Sequence, residues 1–426
     1  MTVFCKRKIK ALRSLMKAEH KGNSVLLLSS SKGATKSRDT EYRYRPDSNL
    51  YYLTNSTGKE LNLLISTKYT KPILLAPPPD PKRITWEGYF VDYKKLAKSL
   101  SAELILVNNI THEIKEKIKD HEVLYHQNTK GTNSWSIASE LLALPYFMRS
   151  KLPSTFIHCD KLMESARLYK DKHEISQIKR AAKITNEALF ETVPFITPLA
   201  LESDIGSTID YLFKIQGGEP SFNTIVATGP SAAVLHYEEQ NRKLKNGELL
   251  LIDCGASYNY YAADITRTLP INGHFNAIQK DLYTIVLEAQ LAAIHTARPN
   301  VSIKKVYDVA VKILTQGLVD VGVLKGKVSK LISKEAYKPY FMHGIGHTLG
   351  LDVHDLGNLR DKGEGLLKPG MVITIEPGIY FQKKTKHIPA CGIRIEDDIL
   401  IKKGSAEVLS EGFPKGINEI EELLNL

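Results

Sequence analysis

Apolar positions along the chain fall into two regimes. Up to about residue 170, short apolar runs alternate with helical stretches. Ser24-Val25-Leu26-Leu27-Leu28 reads as a buried strand, and Leu104-Ile105-Leu106-Val107 as another. Leu61-Asn62-Leu63-Leu64-Ile65-Ser66 and Pro72-Ile73-Leu74-Leu75-Ala76 read as neighbouring strands. Pro77-Pro78-Pro79-Asp80-Pro81 cannot continue a ladder, because proline has no N–H to donate, and it reads as a loop. The pattern predicts an α/β unit with a mixed sheet. Ahead of it, Ile9, Leu12 and Met16 recur at helical spacing among six lysines and arginines, with no acid before Glu19. A basic first helix fits this best, and an organelle transit peptide is the competing reading.

The second regime begins at the charged stretch Tyr169-Lys170-Asp171-Lys172-His173-Glu174. It leads into a helix in which Ile175, Ile178, Ala181, Ala182, Ile184 and Leu189 recur near 3.6-residue spacing. Two domains follow, residues 1–170 and 171–426. The second carries helical patterns at Ile278 to Arg298 and Ile303 to Val321. Between these lie strand-like runs: Leu249 to Gly255, Met371 to Gly378, and Ile393 to Ile401. The order predicts α+β: antiparallel strands with helices packed outside them.

At 426 residues, 42% hydrophobic and 25% charged, the chain is globular and long enough for two to three domains. The net charge of +11 reads as a solvated surface of scattered lysines. No nucleic-acid-binding motif accompanies it, so no nucleic-acid partner is expected. No stretch approaches the ~20 apolar residues of a membrane span, so no membrane partner is expected either. Cys5, Cys159, Cys254 and Cys391 are far apart and form no metal-type pair, which suits a reducing compartment and a cytoplasmic location.

The chemistry concentrates where acids interrupt the apolar runs. A carboxylate on a buried strand face is costly unless it is paired or bound to a cation. Asp253 ends Leu250-Leu251-Ile252, and Asp264 follows eleven residues later. A turn through Gly255 to Tyr260 would bring the two side by side, where they repel unless a proton or a cation intervenes. A structural ion pair of Asp264 with Arg267 is the plainer alternative. Glu376 precedes Pro377-Gly378, and Glu396 follows Ile395; an exposed strand edge is the plain reading of both. Three histidines, His343, His347 and His354, fall within twelve residues among glycines. The glycines, and the absence of a glutamate after His343, argue against a zinc-protease helix.

Together these residues resemble metallopeptidase family M24, the creatinase, prolidase and methionine aminopeptidase "pita-bread" family that includes aminopeptidase P. The match runs through Ile252-Asp253-x-Gly255, Asp264-Ile265-Thr266-Arg267-Thr268, His343-Gly344-x-x-His347, Glu376-Pro377-Gly378 and Gly392-Ile393-Arg394-Ile395-Glu396-Asp397. The string from Asp39 to Thr54 resembles the aminopeptidase P N-terminal domain, which methionine aminopeptidases lack. The family's Thr-Gly reads Thr54-Asn55 here, and the loop Leu356 to Asp361 also departs from the pattern.

The resemblance implies a fold and a chemistry. The fold is an α/β N-terminal domain followed by an α+β pita-bread domain. Two divalent metal ions are implied, held by Asp253, Asp264, His347, Glu376 and Glu396, with Asp264 and Glu396 bridging. The oxygen-rich set favours Mn²⁺, with Zn²⁺, Co²⁺ and Fe²⁺ as alternatives. The implied activity is hydrolysis of the N-terminal bond of peptides with proline in second position, by a hydroxide shared between the metals. Glu376 would carry the proton. His236, His343 and His354 would assist, and Arg394 would orient a carboxylate or the substrate, with charge balance as its plainer role. Tyr380 and Trp86 are candidates for lining a proline pocket, with packing as the plainer role for each. Homodimers or homotetramers are implied as well. The rival readings are a prolidase, confined to Xaa-Pro dipeptides, and a non-catalytic binding protein on the same fold.

Overall fold

The first helix shows how the apolar pattern becomes structure. In the computed structural model, which describes residues 2–88, 91–145, 150–357, 359 and 365–425, Thr2–Glu19 is helical. Its Ile9, Leu12 and Met16 are buried, and Lys6, Arg7, Lys10 and Lys17 stay exposed. Burying side chains of this size stabilises the fold by about 1.5–3 kcal/mol each. The helix is thus part of the core of the first unit.

The chain divides into two compact units, Met1–Ala166 and Arg167–Leu426. In the first, six strands form one sheet in the order Glu103–Leu106, Ile73–Ala76, Asn62–Ser66, Ser24–Ser29, Val123–His126, Thr155–His158. Ser24–Ser29 pairs antiparallel with Asn62–Ser66 and parallel with Val123–His126, so the sheet is mixed. Every residue of Ser24–Ser29 is buried, which explains its unbroken apolar run. Asn55 caps the helix Ser48–Thr54 at φ +52, a left-handed position where asparagine can replace glycine. Of the divergent loop Leu356 to Asp361, Asn358, Arg360 and Asp361 lie outside the described residues.

The second unit opens with the helix Lys172–Thr192, whose first turn is closed by a reciprocal Asp171/Glu174 capping box. The helices Glu202–Ile215, Ala277–Thr296 and Ile303–Asp320 surround short strands. Among the described residues, all the strand pairs of this unit are antiparallel. Two of the long runs expected as single strands are each divided. Met371 to Gly378 and its continuation become Val372–Ile375 and Gly378–Phe381, and Ile393 to Ile401 becomes part of Cys391–Arg394 and Asp397–Ile401. In each case the two pieces belong to different sheets.

Charge is unevenly shared. The first unit holds 27 lysines and arginines against 16 acids, and the second holds 31 of each. The +11 read from the whole sequence therefore belongs to the first unit. The second carries no formal net charge. All four cysteines are buried. Among the described residues, no helix is long and apolar enough to cross a membrane.

Candidate metal centre

Three of the four candidate carboxylates sit where the chain leaves one sheet and enters another. Ala263-Asp264 joins Tyr261–Ala262 to Ile265–Pro270. Glu376-Pro377 joins Val372–Ile375 to Gly378–Phe381, and Ile395-Glu396 joins Cys391–Arg394 to Asp397–Ile401. At such a switch the side chain is released from the pleat of either sheet. Asp253 completes the set from within Leu249–Cys254, where it lies opposite Thr266 of the antiparallel neighbour.

The histidine arrives on an irregular segment laid against a strand. Thr374 N donates to His347 O at 2.9 Å, Leu349 N to Val372 O at 3.0 Å, and Glu376 N to Ile345 O at 2.9 Å. The approach is so close that a Cβ on Gly346 would lie 1.9 Å from Thr374 O. Only glycine fits there.

One ligating atom from each of Asp264, His347 and Glu396 lies within 4.8 Å of the others. His347 Nε2 is 3.4 Å from Asp264 Oδ2 and 3.8 Å from Glu376 Oε1. His347 Nδ1 faces Thr348 O at 3.1 Å; a carbonyl only accepts, so Nδ1 carries the proton and Nε2 is left with its lone pair toward the acids. Asp253 accepts from Arg394 Nη2 at 2.5 Å through Oδ2, and its buried Oδ1 has no hydrogen-bond partner.

Electrostatics favours a cation among these groups. Two unit charges near 4 Å apart interact by about 4 kcal/mol even with an effective dielectric of about 20. Burial, followed by the charge of Glu396, raises the Asp264 carboxyl far above its usual range. Burial, followed by Glu376, does the same to Glu396. The His347 imidazole is pushed down to about 4 by burial and then by His354, so it stays neutral, as a ligand must be. Four carboxylates, one lone-pair imidazole nitrogen and one unsatisfied carboxylate oxygen fit hard or borderline divalent ions.

The remaining candidates divide. Arg394 Nη1 donates to Tyr380 Oη at 3.0 Å, and that hydroxyl lies 2.9 Å from His343 Nε2. His343 Nδ1 lies 3.6 Å from Glu376 Oε2. His354 packs edge-on against His347 with ring centroids 4.2 Å apart. Burial, and then the neighbouring His236, lower the His354 imidazole from its usual value. His236 is exposed on the loop after Gly229–Ala233. Trp86 lies in the first unit, 89% exposed, on the short helix Pro81–Glu87. Arg267 does not pair with Asp264. Its Nη2 donates to Asp397 Oδ1 at 2.9 Å and its Nη1 to Glu396 O at 2.6 Å.

Two supporting residues escaped the sequence reading. Thr266 Oγ1 donates to Glu396 Oε2 at 2.6 Å and accepts from Arg394 Nε at 3.1 Å. Buried Asp398 accepts from Asp264 N at 3.2 Å. Both stand two residues from a candidate ligand, a spacing that could have flagged them.

Residues 176–403 match metallopeptidase family M24, and residues 4–125 match the aminopeptidase P N-terminal domain. The chain belongs to metallopeptidase family M24. It is 36% identical to the Xaa-Pro aminopeptidase of Haemophilus influenzae, over 100% of this chain and 99% of that one. It superimposes on Pseudomonas aeruginosa aminopeptidase PepP with a TM-score of 0.91 at 33% identity, covering 99% of this chain and 98% of that one. The Xaa-Pro dipeptidase of Pyrococcus furiosus is 34% identical, over 70% of this chain and 76% of that protein.

Proposed function

We propose that this chain is an Xaa-Pro aminopeptidase. It would release the first residue of peptides with proline in second position, using two divalent ions, Mn²⁺ in first place. The observation that carries the reading is the convergence of Asp264, His347 and Glu396 donors within 4.8 Å, flanked by Asp253 and Glu376. The Xaa-Pro aminopeptidases of Haemophilus influenzae and Escherichia coli match along the whole chain, first unit included. The dipeptidase relative matches over 70% of the chain. Full-length correspondence with the Haemophilus influenzae and Escherichia coli enzymes supports the aminopeptidase over a prolidase. The non-catalytic reading is the weakest, because all five donors are present.

Asp253, Asp264, His347, Glu376 and Glu396 would hold the ions. Bound divalent ions supply Lewis-acid charge and bring the pKa of water toward neutrality. The protein's own groups do the rest. Glu376, beside His343 and His347, takes the proton of the attacking water and delivers it to the departing nitrogen. That delivery is obligatory, since a peptide nitrogen leaves as an amine only once it has gained a proton. His354 and His236 face the same region as donors to the carbonyl oxygen as charge develops on it. Arg394 and Tyr380 fix Asp253 and His343 in place. The same reading expects a homodimer or homotetramer in the cytoplasm, a reducing compartment that suits four buried cysteines.

The test is purified protein with Mn²⁺ and Arg-Pro-Pro, beside Arg-Pro and Arg-Ala-Ala, with and without EDTA. Metal-dependent release of arginine from the tripeptide, with Arg-Ala-Ala untouched, is the expected result. Cleavage of Arg-Pro alone would move the assignment to a prolidase. Inertness toward all three would leave the binding-protein reading.

A further inference from the structure

A buried charge cluster outside the candidate ligand set holds the histidine loop from behind. Arg167 Nη2 donates to Asp352 Oδ2 at 2.7 Å and also to Asp355 Oδ1, so one guanidinium spans the two acids that bracket His354. Lys170 Nζ stands 3.1 Å from the other oxygen of Asp355. The side chains of Arg167, Lys170 and Asp355 are 1–2% exposed. Gly350 leaves the space for this: a Cβ there would lie 2.1 Å from Asp355 Oδ2 and 3.0 Å from Lys170 Cε.

The cluster connects to the candidate metal ligand through one atom. Asp355 N donates to Thr348 O at 2.9 Å, and the same oxygen accepts from His347 Nδ1 at 3.1 Å. Thr348 Oγ1 donates back to Asp355 O at 2.5 Å, which closes the loop on itself. Thr348 O is therefore an outer partner of the His347 ring, beside the Val353 backbone, and Asp355 holds Thr348 O.

We infer that Arg167, Lys170 and Asp355 are positioning residues for metal uptake. They act through the Thr348 carbonyl to aim His347 Nε2 at Asp264 and Glu396. This rests on the metallopeptidase reading above and extends it to residues that touch neither metal nor substrate. Outer partners of a ligating histidine typically change metal affinity on the order of 10- to 100-fold when removed.

The test is calorimetric titration of the chelator-treated full chain with Mn²⁺, followed by activity at limiting and saturating Mn²⁺. Asp355→Asn is expected to weaken Mn²⁺ binding tenfold or more at one site, on the order set by loss of an outer partner. Saturating Mn²⁺ should recover most of its kcat. Asp355→Asn combined with His347→Ala should bind no more weakly than His347→Ala alone, because the effect runs through that ring. A general loss of packing would instead add to the His347→Ala defect. Asp355→Asn leaves two buried cations short of a partner, so Lys170→Met, which keeps the Arg167 pair, is the second variant. It is expected to bind Mn²⁺ severalfold more weakly, again on the scale of an outer partner. Folded variants with wild-type Mn²⁺ affinity would overturn the inference and leave the metallopeptidase reading standing. A wild-type chain that takes up no divalent ion would overturn both.

Discussion

Arg394 and Asp253 form a buried pair at 2.5 Å that occupies one carboxylate oxygen and leaves the other without a hydrogen-bond partner. The guanidinium holds the acid in place, and the free oxygen remains available to a cation. Arg394→Met removes the cation that pairs with this acid and leaves a buried charge uncompensated. The expected loss of stability in the metal-free protein is about 3–5 kcal/mol, read by urea unfolding. Arg394→Lys should rescue poorly, because an ammonium cannot reach Asp253, Tyr380 and Thr266 from one planar group.

Tyr380→Phe removes the hydroxyl between Arg394 and His343 and keeps the ring. A hydrogen bond to a charged group contributes about 1.5–3 kcal/mol, so kcat/KM should fall by roughly ten- to a hundredfold. The same loss should lower the melting temperature by about 2–4 °C per kcal/mol in a domain of this size, so activity is compared on the folded variant. A variant with full activity would leave packing as the whole role of this buried tyrosine.

Stability of the metal-free protein should fall as pH rises above about 6.5. Asp264 and Glu396 have raised carboxyls, so the folded state binds more protons than the unfolded one, and stability declines with pH up to the raised values. His347 acts in the opposite sense, but only between its folded value of about 4 and its ordinary 6.5. Added Mn²⁺ should flatten the decline above that range, since a cation replaces the protons. Melting curves from pH 6.5 to 8.5, with and without metal, check both halves.

Asp397 is held at about 2: burial works against its charge, but Arg267 and Lys415 outweigh it. Its contribution is therefore present above the ordinary carboxylate value of 3.8 and is lost as pH falls toward 2. Asp397→Asn strands both cations and should reduce stability by about 3–5 kcal/mol at neutral pH. Denaturant midpoints at pH 7 and pH 3 should show a smaller acid-induced drop in the variant than in the wild type.

Gly346→Ala sets a methyl group against Thr374 O. That strand also supplies Thr374 Oγ1, which accepts from His347 N at 3.1 Å and lies 3.4 Å from Glu376 Oε1. The backbone must separate, at an overpacking cost of about 1–3 kcal/mol. Mn²⁺ affinity should weaken with it, and calorimetry on the folded fraction measures that directly.

How far the sequence carried this picture is visible in single elements. The buried run at Ser24 to Leu28 and the helices near 278 and 303 were legible because periodicity and caps agree with burial there. The convergence of acids was legible because carboxylates among isoleucines demand a partner. The sheet switches at Glu376 and Glu396 were not, since an apolar run looks the same whether it stays in one sheet or changes to another. The alternative pairing of Asp264 with Arg267 fails because proximity in sequence says nothing about Asp397 and Phe413, which Arg267 meets instead. The Arg167–Asp355 contact joins positions 188 residues apart and leaves no local pattern.

The spread of the donors along the chain also bears on when activity arises. They run from residue 253 to residue 396, and Arg267, which holds the Glu396 backbone, reaches on to Phe413 O. Asp397 in turn takes Lys415 as a partner at 2.6 Å. Contacts of such separation close late, because chain entropy opposes them until nearby structure exists. During synthesis from the N-terminus, the first unit can be complete well before residues 410–415 dock. A growing chain thus lacks the contacts that close the acid cluster until residues 410–415 have emerged and docked.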